Sequence, residues 1–189
     1  MIKAKKSLGQ NFLIDQNIIK KIVKLASIKN MNVFEIGAGT GNLSREILNN
    51  KPKTLTLVEK DGVLFSKLKE DFTTENNLKL IHEDILNLEI NKYLMPNTII
   101  FGNLPYNIST QILVKLISIK WPPNYSKLIL MFQKEVAERL LAKYKTNKYG
   151  RLKIISNWRL KILDHFNISK NCFLPKPKVD STVLIFEPV

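Results

Sequence analysis

Cysteine, histidine and long apolar runs are scarce in this 189-residue chain. The single cysteine, Cys172, excludes an internal disulfide and suits a reducing compartment. The two histidines, His82 and His165, lie far apart and lack a recognisable ligand set, so we expect no metal site. No apolar run approaches the roughly 18 residues that a membrane span needs, and the basic N-terminus leads into Leu8-Gly9-Gln10 rather than an apolar signal core. These features favour a cytoplasmic protein with no membrane association.

Acidic residues are also few in relation to basic ones. Sixteen Asp and Glu stand against 30 Lys and Arg, which gives a net charge of +14. A surface this cationic attracts polyanions, of which nucleic-acid backbones are the commonest. However, 26 of the basic residues are lysine and the chain is rich in Asn and Ile, a pattern that AT-biased coding alone produces. The net positive charge therefore indicates nucleic-acid binding, but motifs are needed to distinguish this explanation from biased coding.

Repeats and linkers rich in Gly, Ser or Pro are missing, which predicts one domain over residues 1–189. Five short apolar runs predict buried strands at residues 31–36, 54–58, 78–81, 98–101 and 128–132. Between them, helical spacing predicts a helix capped by Asp15 and helices at 43–48, 63–68, 110–119 and 134–144. This alternation predicts a mostly parallel, doubly wound α/β sheet.

The last third of the chain changes character. Residues 152–164 and 179–187 read as two long strands with no helix between them, joined by a turn-prone segment around Pro175 and Pro177. Such a pair predicts an antiparallel hairpin on the edge of the parallel sheet, with Trp158 packed on the sheet. A nicotinamide-binding domain would usually continue with parallel strands. We therefore predict a Rossmann-like class I methyltransferase fold, with a seven-stranded, mostly parallel sheet and an antiparallel edge hairpin.

A glycine cluster follows the first predicted strand. Gly37, Gly39 and Gly41 would let the backbone turn sharply and approach a bound nucleoside. Their G-x-G-x-G spacing differs from the G-x-G-x-x-G of a pyrophosphate-binding loop. The spacing therefore favours S-adenosylmethionine over a dinucleotide.

Acidic residues stand near the ends of three successive predicted strands. Glu35 precedes the first glycine and could hold the loop or a methionine ammonium group. Glu59 lies 20 residues beyond Gly39, where a carboxylate can accept both ribose hydroxyls. Asp84 could accept a hydrogen bond from the adenine amino group. Each acid taken singly could be a solvated loop carboxylate or a helix cap, but together they predict a pocket for S-adenosylmethionine.

The most specific signal is Asn103-Leu104-Pro105-Tyr106, directly after the fourth predicted strand. An exocyclic amino group of a purine is a poor nucleophile because its lone pair is delocalised into the ring. The Asn103 side-chain oxygen and the Leu104 carbonyl could accept its two N–H groups, Pro105 would stiffen the loop, and Tyr106 would stack on the base. Methyl transfer would then be an in-line displacement that needs no metal. The alternative is a generic turn.

Other residues are candidates for contacts with the nucleic acid. Phe173 could close the opposite face of the target base, or merely pack beneath a loop stiffened by proline. Lys176 and Lys178 would lie near backbone phosphates. Further candidates are the N-terminal lysines and three residues around the predicted helix at 134–144, namely Lys134, Arg139 and Lys143.

Taken together, these motifs show that residues 5–188 resemble the ribosomal RNA adenine dimethyltransferases. The resemblance is greatest to the bacterial enzymes that act on 16S rRNA, the loss of which confers kasugamycin resistance. The resemblance is carried by residues 8–13, the glycine loop, and residues 103–110, 133–140, 149–152 and 173–181. It implies that Asn11 and Leu13 also line the cofactor pocket. It further implies that Gly37, Glu59, Asp84 and Asn103 contact S-adenosylmethionine, which becomes S-adenosylhomocysteine.

The resemblance also implies the substrate, which is two adjacent adenosines in a hairpin near the 3′ end of small-subunit RNA, each methylated twice. The protein would then act as a monomer on the immature small ribosomal subunit. Family members continue into a small helical domain, whereas this sequence ends at Val189. We therefore expect residues 1–189 to be the catalytic domain without that helical domain, either as a piece of a longer chain or as a naturally short form.

Three alternatives remain open on sequence alone. The macrolide-resistance methylases modify one adenine in 23S rRNA, but they usually carry Ile where Leu104 stands, and residues 149–152 look like the small-subunit branch. A mitochondrial transcription factor derived from the family would bind without catalysis, and the intact loop at 103–106 argues against it. An N6-adenine DNA methylase would use the same chemistry on DNA, and 2′-hydroxyl contacts would distinguish the two substrates.

Overall fold

The structure of the protein is a computed structural model that describes residues 4–5 and 9–189. Leu8 and two of the N-terminal lysines, Lys3 and Lys6, therefore lie outside the described residues. The described elements are, in chain order, β1 (Phe12–Leu13), α1 (Gln16–Val23), β2 (Asn32–Ile36), α2 (Asn42–Asn49), β3 (Thr54–Glu59), α3 (Gly62–Asp71), β4 (Leu78–His82), β5 (Thr98–Asn103), α4 (Ser109–Ser118), β6 (Tyr125–Gln133), α5 (Lys134–Leu141), α6 (Arg151–Arg159), β7 (Leu160–Ile168), β8 (Phe173–Leu174) and β9 (Ser181–Pro188). None of these helices is both long and apolar enough to cross a membrane.

Seven strands form one sheet in the order β4-β3-β2-β5-β6-β9-β7. The first five pair in parallel, whereas β9 is antiparallel to β6 and β7 is antiparallel to β9. The predicted fold, a mostly parallel sheet that ends in an antiparallel hairpin, is therefore confirmed. A separate antiparallel pair, β1 with β8, joins the N-terminal segment to residues 173–174.

The predicted elements are confirmed except in the last third. Asp15 caps α1, and its Oδ1 accepts hydrogen bonds from the next helical N–H groups. The strand predicted from residue 152 is wrong, because residues 151–159 form α6 and β7 begins only at Leu160. Trp158 is 64% exposed on this helix and does not pack on the sheet. The helix at 134 ends at Leu141, so Lys143 lies beyond it.

The central strands are buried on both faces, as parallel strands covered by helices must be. Side chains alternate between two apolar clusters because successive residues of a strand point to opposite faces. Val33, Ile99 and Phe101 enter one cluster, whereas Phe34 and Ile100 enter the other. The sheet is thereby a packed platform, and the loops that could hold a ligand stand at the carboxyl ends of its strands.

Candidate active site

A cleft opens at the carboxyl edge of the parallel strands. Its walls come from the N-terminal segment, the glycine loop, the residues after β3 and β4, and the loop after β5. The lining is mainly residues 9–13, 35–40, 58–60, 83–85, 103 and 105–108. The glycine loop and the Asn103–Tyr106 loop, predicted to act together, therefore line the same cleft.

Two glycines shape the floor of the cleft. Gly37 (φ +70°) and Gly39 (φ +58°) adopt left-handed backbone conformations that favour glycine. The Gly37 N–H donates to the Val58 carbonyl at 2.8 Å, which ties the loop to β3. A Cβ on Gly39 would lie only 3.2 Å from the Phe12 ring. Glycine therefore allows the loop to lie closely against the N-terminal segment.

Three residues predicted to bind the cofactor or the target base do not line the cleft. Gly41 is the N-cap of α2 at φ +77°, and a Cβ there would meet the Leu68 side chain at 2.9 Å, so this glycine allows close packing at the start of the helix. The Leu104 side chain is 1% exposed and lies in the core, although its predicted role concerns its main-chain carbonyl. Phe173 is 2% exposed and pairs with Leu13 across β8 and β1. Its burial favours the packing role over closure of the target base.

The carboxylates at the ends of β2 and β3 are buried and satisfied by neighbouring donors. Glu59 accepts the Gly39 N–H at 2.9 Å through Oε2 and the Asp61 N–H at 2.8 Å through Oε1. Burial raises the pKa of Glu59, and these backbone hydrogen bonds oppose the rise. The Ser44 hydroxyl donates to Glu35 Oε2 at 2.6 Å. Burial raises the pKa of Glu35 to about 8, although the Ser44 hydrogen bond lowers it.

Asp84 stands at the rim of the cleft beside a lysine. Its Oδ2 lies 2.7 Å from Lys60 Nζ, and its Oδ1 accepts the Leu86 N–H at 2.9 Å. Partial burial would raise the pKa of Asp84, but the hydrogen bonds from Lys60 and Leu86 outweigh it, and the pKa is lowered. This side chain is therefore an ionised hydrogen-bond acceptor at neutral pH.

The loop after β5 is held in place by main-chain and side-chain contacts. Asn103 Nδ2 donates to the Asn11 carbonyl at 3.0 Å, which leaves Oδ1 as the amide atom suited to accept from a ligand. The Ile108 N–H donates to the Pro105 carbonyl at 3.1 Å and closes a turn. The Tyr106 hydroxyl lies 2.6 Å from the Ser181 hydroxyl. Asn103 and Tyr106 are thus fixed at opposite ends of a short, stiff loop.

One residue that the sequence analysis missed anchors the N-terminal wall of the cleft. Asp61 caps α3 by accepting the Val63 and Leu64 N–H groups through Oδ1. Its Oδ2 lies 2.7 Å from Lys5 Nζ and 3.4 Å from Gln10 Nε2. The aspartate before a helical pattern was a signal for the cap. Its pairing with residues 5 and 10 had no local signal.

Five basic residues predicted to contact RNA are exposed, namely Lys134, Arg139, Lys143, Lys176 and Lys178. The Lys134 N–H donates to the Asp180 carbonyl at 3.0 Å, so the start of α5 adjoins the segment that carries Lys176 and Lys178. Arg139 forms an ion pair with Glu135 on the same helix. RNA contact by these side chains stays a prediction. Across residues 4–5 and 9–189, no group of three or more His, Cys, Asp or Glu is placed to hold a metal ion.

The sheet order, the glycine loop and the acids at the carboxyl edge together define a class I methyltransferase. The model of one protein family, ribosomal RNA adenine dimethylase, matches residues 1–188. The chain belongs to this family, as its motifs predicted.

Individual relatives agree with this assignment. A protein of Pelagibacter ubique named ribosomal RNA small subunit methyltransferase A is 48% identical over 99% of this chain and 71% of its own length. A dimethyladenosine transferase from Plasmodium falciparum is 34% identical, with a TM-score of 0.83 over 94% of this chain and 63% of its own. The 23S rRNA methyltransferase ErmE is 25% identical, with a TM-score of 0.76 over 95% of this chain and 70% of its own. This chain thus spans about two thirds of the length of these proteins.

Proposed function

We propose that the protein transfers methyl groups from S-adenosylmethionine to the N6 atoms of two adjacent adenosines in a 16S rRNA hairpin near its 3′ end. The observation that carries this proposal is the position of Asn103 and Tyr106 in the same cleft as the glycine loop. The small-subunit substrate is supported by the 48% identity to a relative named for that subunit, against 25% to ErmE.

The chemistry of the cleft fits S-adenosylmethionine. Gly37 and Gly39 line the cleft with main chain alone, so the backbone can approach the bound molecule closely. Glu59 would accept from the ribose hydroxyls, Asp84 from the adenine amino group, and Glu35 would face the methionine ammonium, while Asn11 and Leu13 line the wall. S-adenosylmethionine supplies an electrophilic methyl group on a sulfonium and leaves as S-adenosylhomocysteine.

The loop after β5 would activate the adenine amino group. Asn103 Oδ1 and the Leu104 carbonyl accept its two N–H groups, which favours a more tetrahedral nitrogen with a lone pair available for attack. Pro105 limits the freedom of the loop, and the Tyr106 ring stacks on the extruded base. The nitrogen would form a bond to the methyl carbon as the carbon–sulfur bond of the sulfonium breaks, and it would then lose one proton to solvent. Positioning and electrostatics lower the barrier without a covalent enzyme intermediate.

The remaining assignments follow from the same substrate. We infer that the partner is the immature small ribosomal subunit, which places the protein in the cytoplasm. Residues 1–189 would act as the S-adenosylmethionine-binding catalytic domain, since the sheet and both motifs lie within them. One chain supplies every wall of the cleft, which is consistent with a monomer.

Mass spectrometry of RNA tests the proposal. Immature small subunits incubated with the protein and isotopically labelled S-adenosylmethionine should yield N6,N6-dimethyladenosine at two adjacent positions. Asn103→Ala should lower turnover by about 100-fold or more, because one acceptor to the reacting nitrogen is lost. Asn49→Ala is the matched control, since this exposed asparagine ends α2 away from the cleft, and its turnover should equal that of the unaltered protein.

The same assay separates the alternatives. Methylation of large-subunit RNA in place of small-subunit RNA would identify a 23S rRNA methylase. Methylation of adenine in DNA would identify a DNA methylase. RNA binding with no methyl transfer to any substrate would identify a non-catalytic binding protein.

A further inference from the structure

The segment Phe173–Ser181 carries part of the family resemblance, yet Phe173 is buried away from the cleft. The last residue of this segment does reach the catalytic loop. Ser181 is fully buried at the start of β9, and its hydroxyl oxygen lies 2.6 Å from that of Tyr106. Either hydroxyl can donate in this bond, which links two motifs 75 residues apart in the chain.

Ser181 is itself held rigidly. It pairs with Gln133 of β6 on one side and with Ile168 of β7 on the other. The preceding residue, Asp180, accepts the Lys134 N–H at 3.0 Å through its carbonyl and the Lys170 N–H at 2.9 Å through Oδ1. The Ser181 hydroxyl is therefore a fixed point that does not depend on a mobile loop.

Tyr106 is fixed at its other end by the main chain of its own loop. The turn closed by Pro105 and Ile108 holds the backbone on either side, and the Ser109 hydroxyl donates to the Tyr106 carbonyl at 3.4 Å. These contacts leave the half-buried ring free to swing about its side-chain torsions. A hydrogen bond at the far end of the ring removes that freedom before any base arrives, which reduces the entropy lost on stacking.

We propose that Ser181 is a positioning residue that fixes the ring of Tyr106 in the orientation on which the target adenine stacks. Ser181 does not line the cleft, so it acts on the base through Tyr106. The role rests on the proposed function, since it presupposes an adenine in the cleft. It would also explain why the Phe173–Ser181 segment and the catalytic loop both belong to the family resemblance.

A double-mutant cycle tests this role. Ser181→Ala and Tyr106→Phe each delete one hydroxyl of the pair while keeping the strand and the ring. Each should lower kcat for RNA about 3- to 10-fold, the size expected from one neutral hydrogen bond. The double variant should lose no more than either single variant. The Kd for S-adenosylmethionine should not change, because neither hydroxyl is assigned to the cofactor.

Thr182→Val is the matched control. The Thr182 hydroxyl is equally buried on β9 and bonds Asn167 Oδ1 at 2.8 Å, but it has no link to Tyr106. Its removal should leave kcat unchanged. Losses that multiply in the double variant, or an equal loss in Thr182→Val, would overturn the positioning role. If Ser181→Ala fails to fold, Tyr106→Phe removes the same bond from the cleft side, and an unchanged kcat there would also overturn it. Failure of the unaltered protein to methylate adenosine would instead overturn the proposed function itself.

Discussion

Glu35 carries a buried carboxyl group at the end of β2, directly before the glycine loop. Its pKa is raised to about 8, mainly by burial, while the Ser44 hydrogen bond limits the rise and nearby Glu59 adds to it. The free protein therefore holds Glu35 largely protonated at neutral pH. Because the unfolded chain ionises this group at its ordinary pKa, its contribution to stability is present below that value and is lost as pH rises toward 8.

Binding of S-adenosylmethionine should release a proton from Glu35. The methionine ammonium favours the ionised carboxylate, so low pH opposes binding. Affinity should therefore rise with pH from pH 6 toward about 8. Isothermal titration at pH 7 in two buffers of different ionisation enthalpy measures the proton directly. Ser44→Ala removes a hydrogen bond that lowers the pKa, so it should move the profile to higher pH. Glu35→Gln should abolish proton release, and an affinity independent of pH in the unaltered protein would contradict the assignment.

Site residues could be predicted individually where a polar side chain stands at the carboxyl end of a predicted strand. Glu59 and Asn103 end β3 and β5, and their polar side chains at the carboxyl edge marked them. Their partners could not be predicted, since the contact of Asn103 with Asn11 spans 92 residues and depends on the folded path of the N-terminal segment. Phe173 had two possible roles in sequence, and its burial in the folded pair of β8 with β1 favours packing.

The start of α3 joins the helix to the N-terminal wall of the cleft. Asp61 uses one carboxylate oxygen as the helix cap and the other for Lys5 and Gln10. Asp15 caps α1 in the same way but holds no residue of this wall. The second Asp15 oxygen, Oδ2, instead lies 3.8 Å from Cys172 Sγ. The two helix starts therefore compare a cap that also holds the cleft wall with a cap that does not.

Removal of the two caps should have different effects on ligand binding. Asp61→Ala and Asp15→Ala should each lower the free energy of unfolding by about 1 kcal/mol, the usual loss for a helix cap. Only Asp61→Ala should also weaken binding of S-adenosylmethionine, since residues 5 and 10 lose their anchor. Asp61→Asn keeps a capping oxygen and should restore most of the stability but not the ion pair with Lys5. Denaturant unfolding and ligand titration measure the two quantities, and equal affinities for both Ala variants would refute the tether.

Helix α6 is the element that the sequence pattern predicted wrongly, as a strand. Residues 152–159 contain Ile154, Ile155 and Trp158, which favour strands, and only Ser156 of this helix is fully buried. Helical periodicity is therefore weak, and contacts with α4 and α5 determine the conformation. The strands of the parallel sheet were predictable because their apolar runs end at glycine or polar residues, whereas a helix with one small buried residue leaves no such signal.

The basic residues behind the net charge of +14 lie at different distances along the chain and the sheet from the cleft. Lys134 and Lys178 stand on adjoining segments next to β9, whereas Lys29 precedes β2 at the amino edge of the sheet, opposite the cleft. If the first two contact phosphates, they contribute to specific docking of RNA. Lys29 would then contribute only to the general field of the protein.

Charge reversal should separate these contributions. Lys134→Glu and Lys178→Glu should each weaken RNA binding and reduce the slope of log affinity against log salt by about 1. Lys29→Glu, with the same change in net charge, should leave the slope near that of the unaltered protein. Filter binding across a salt series measures it, and equal slopes for all three variants would discard the predicted phosphate contacts.

The position of β9 between β6 and β7 has a consequence for biosynthesis. β7 leaves the ribosome before β9 but, within residues 4–5 and 9–189, pairs with no other strand. We therefore expect the backbone groups of this strand to bond to water until residues 181–188 emerge and insert beside it. The same insertion delivers the hydroxyl that meets Tyr106. Until these residues are in place, Tyr106 lacks the hydroxyl that holds its ring, and we therefore expect the platform for the adenine to be the last part of the site to become ordered.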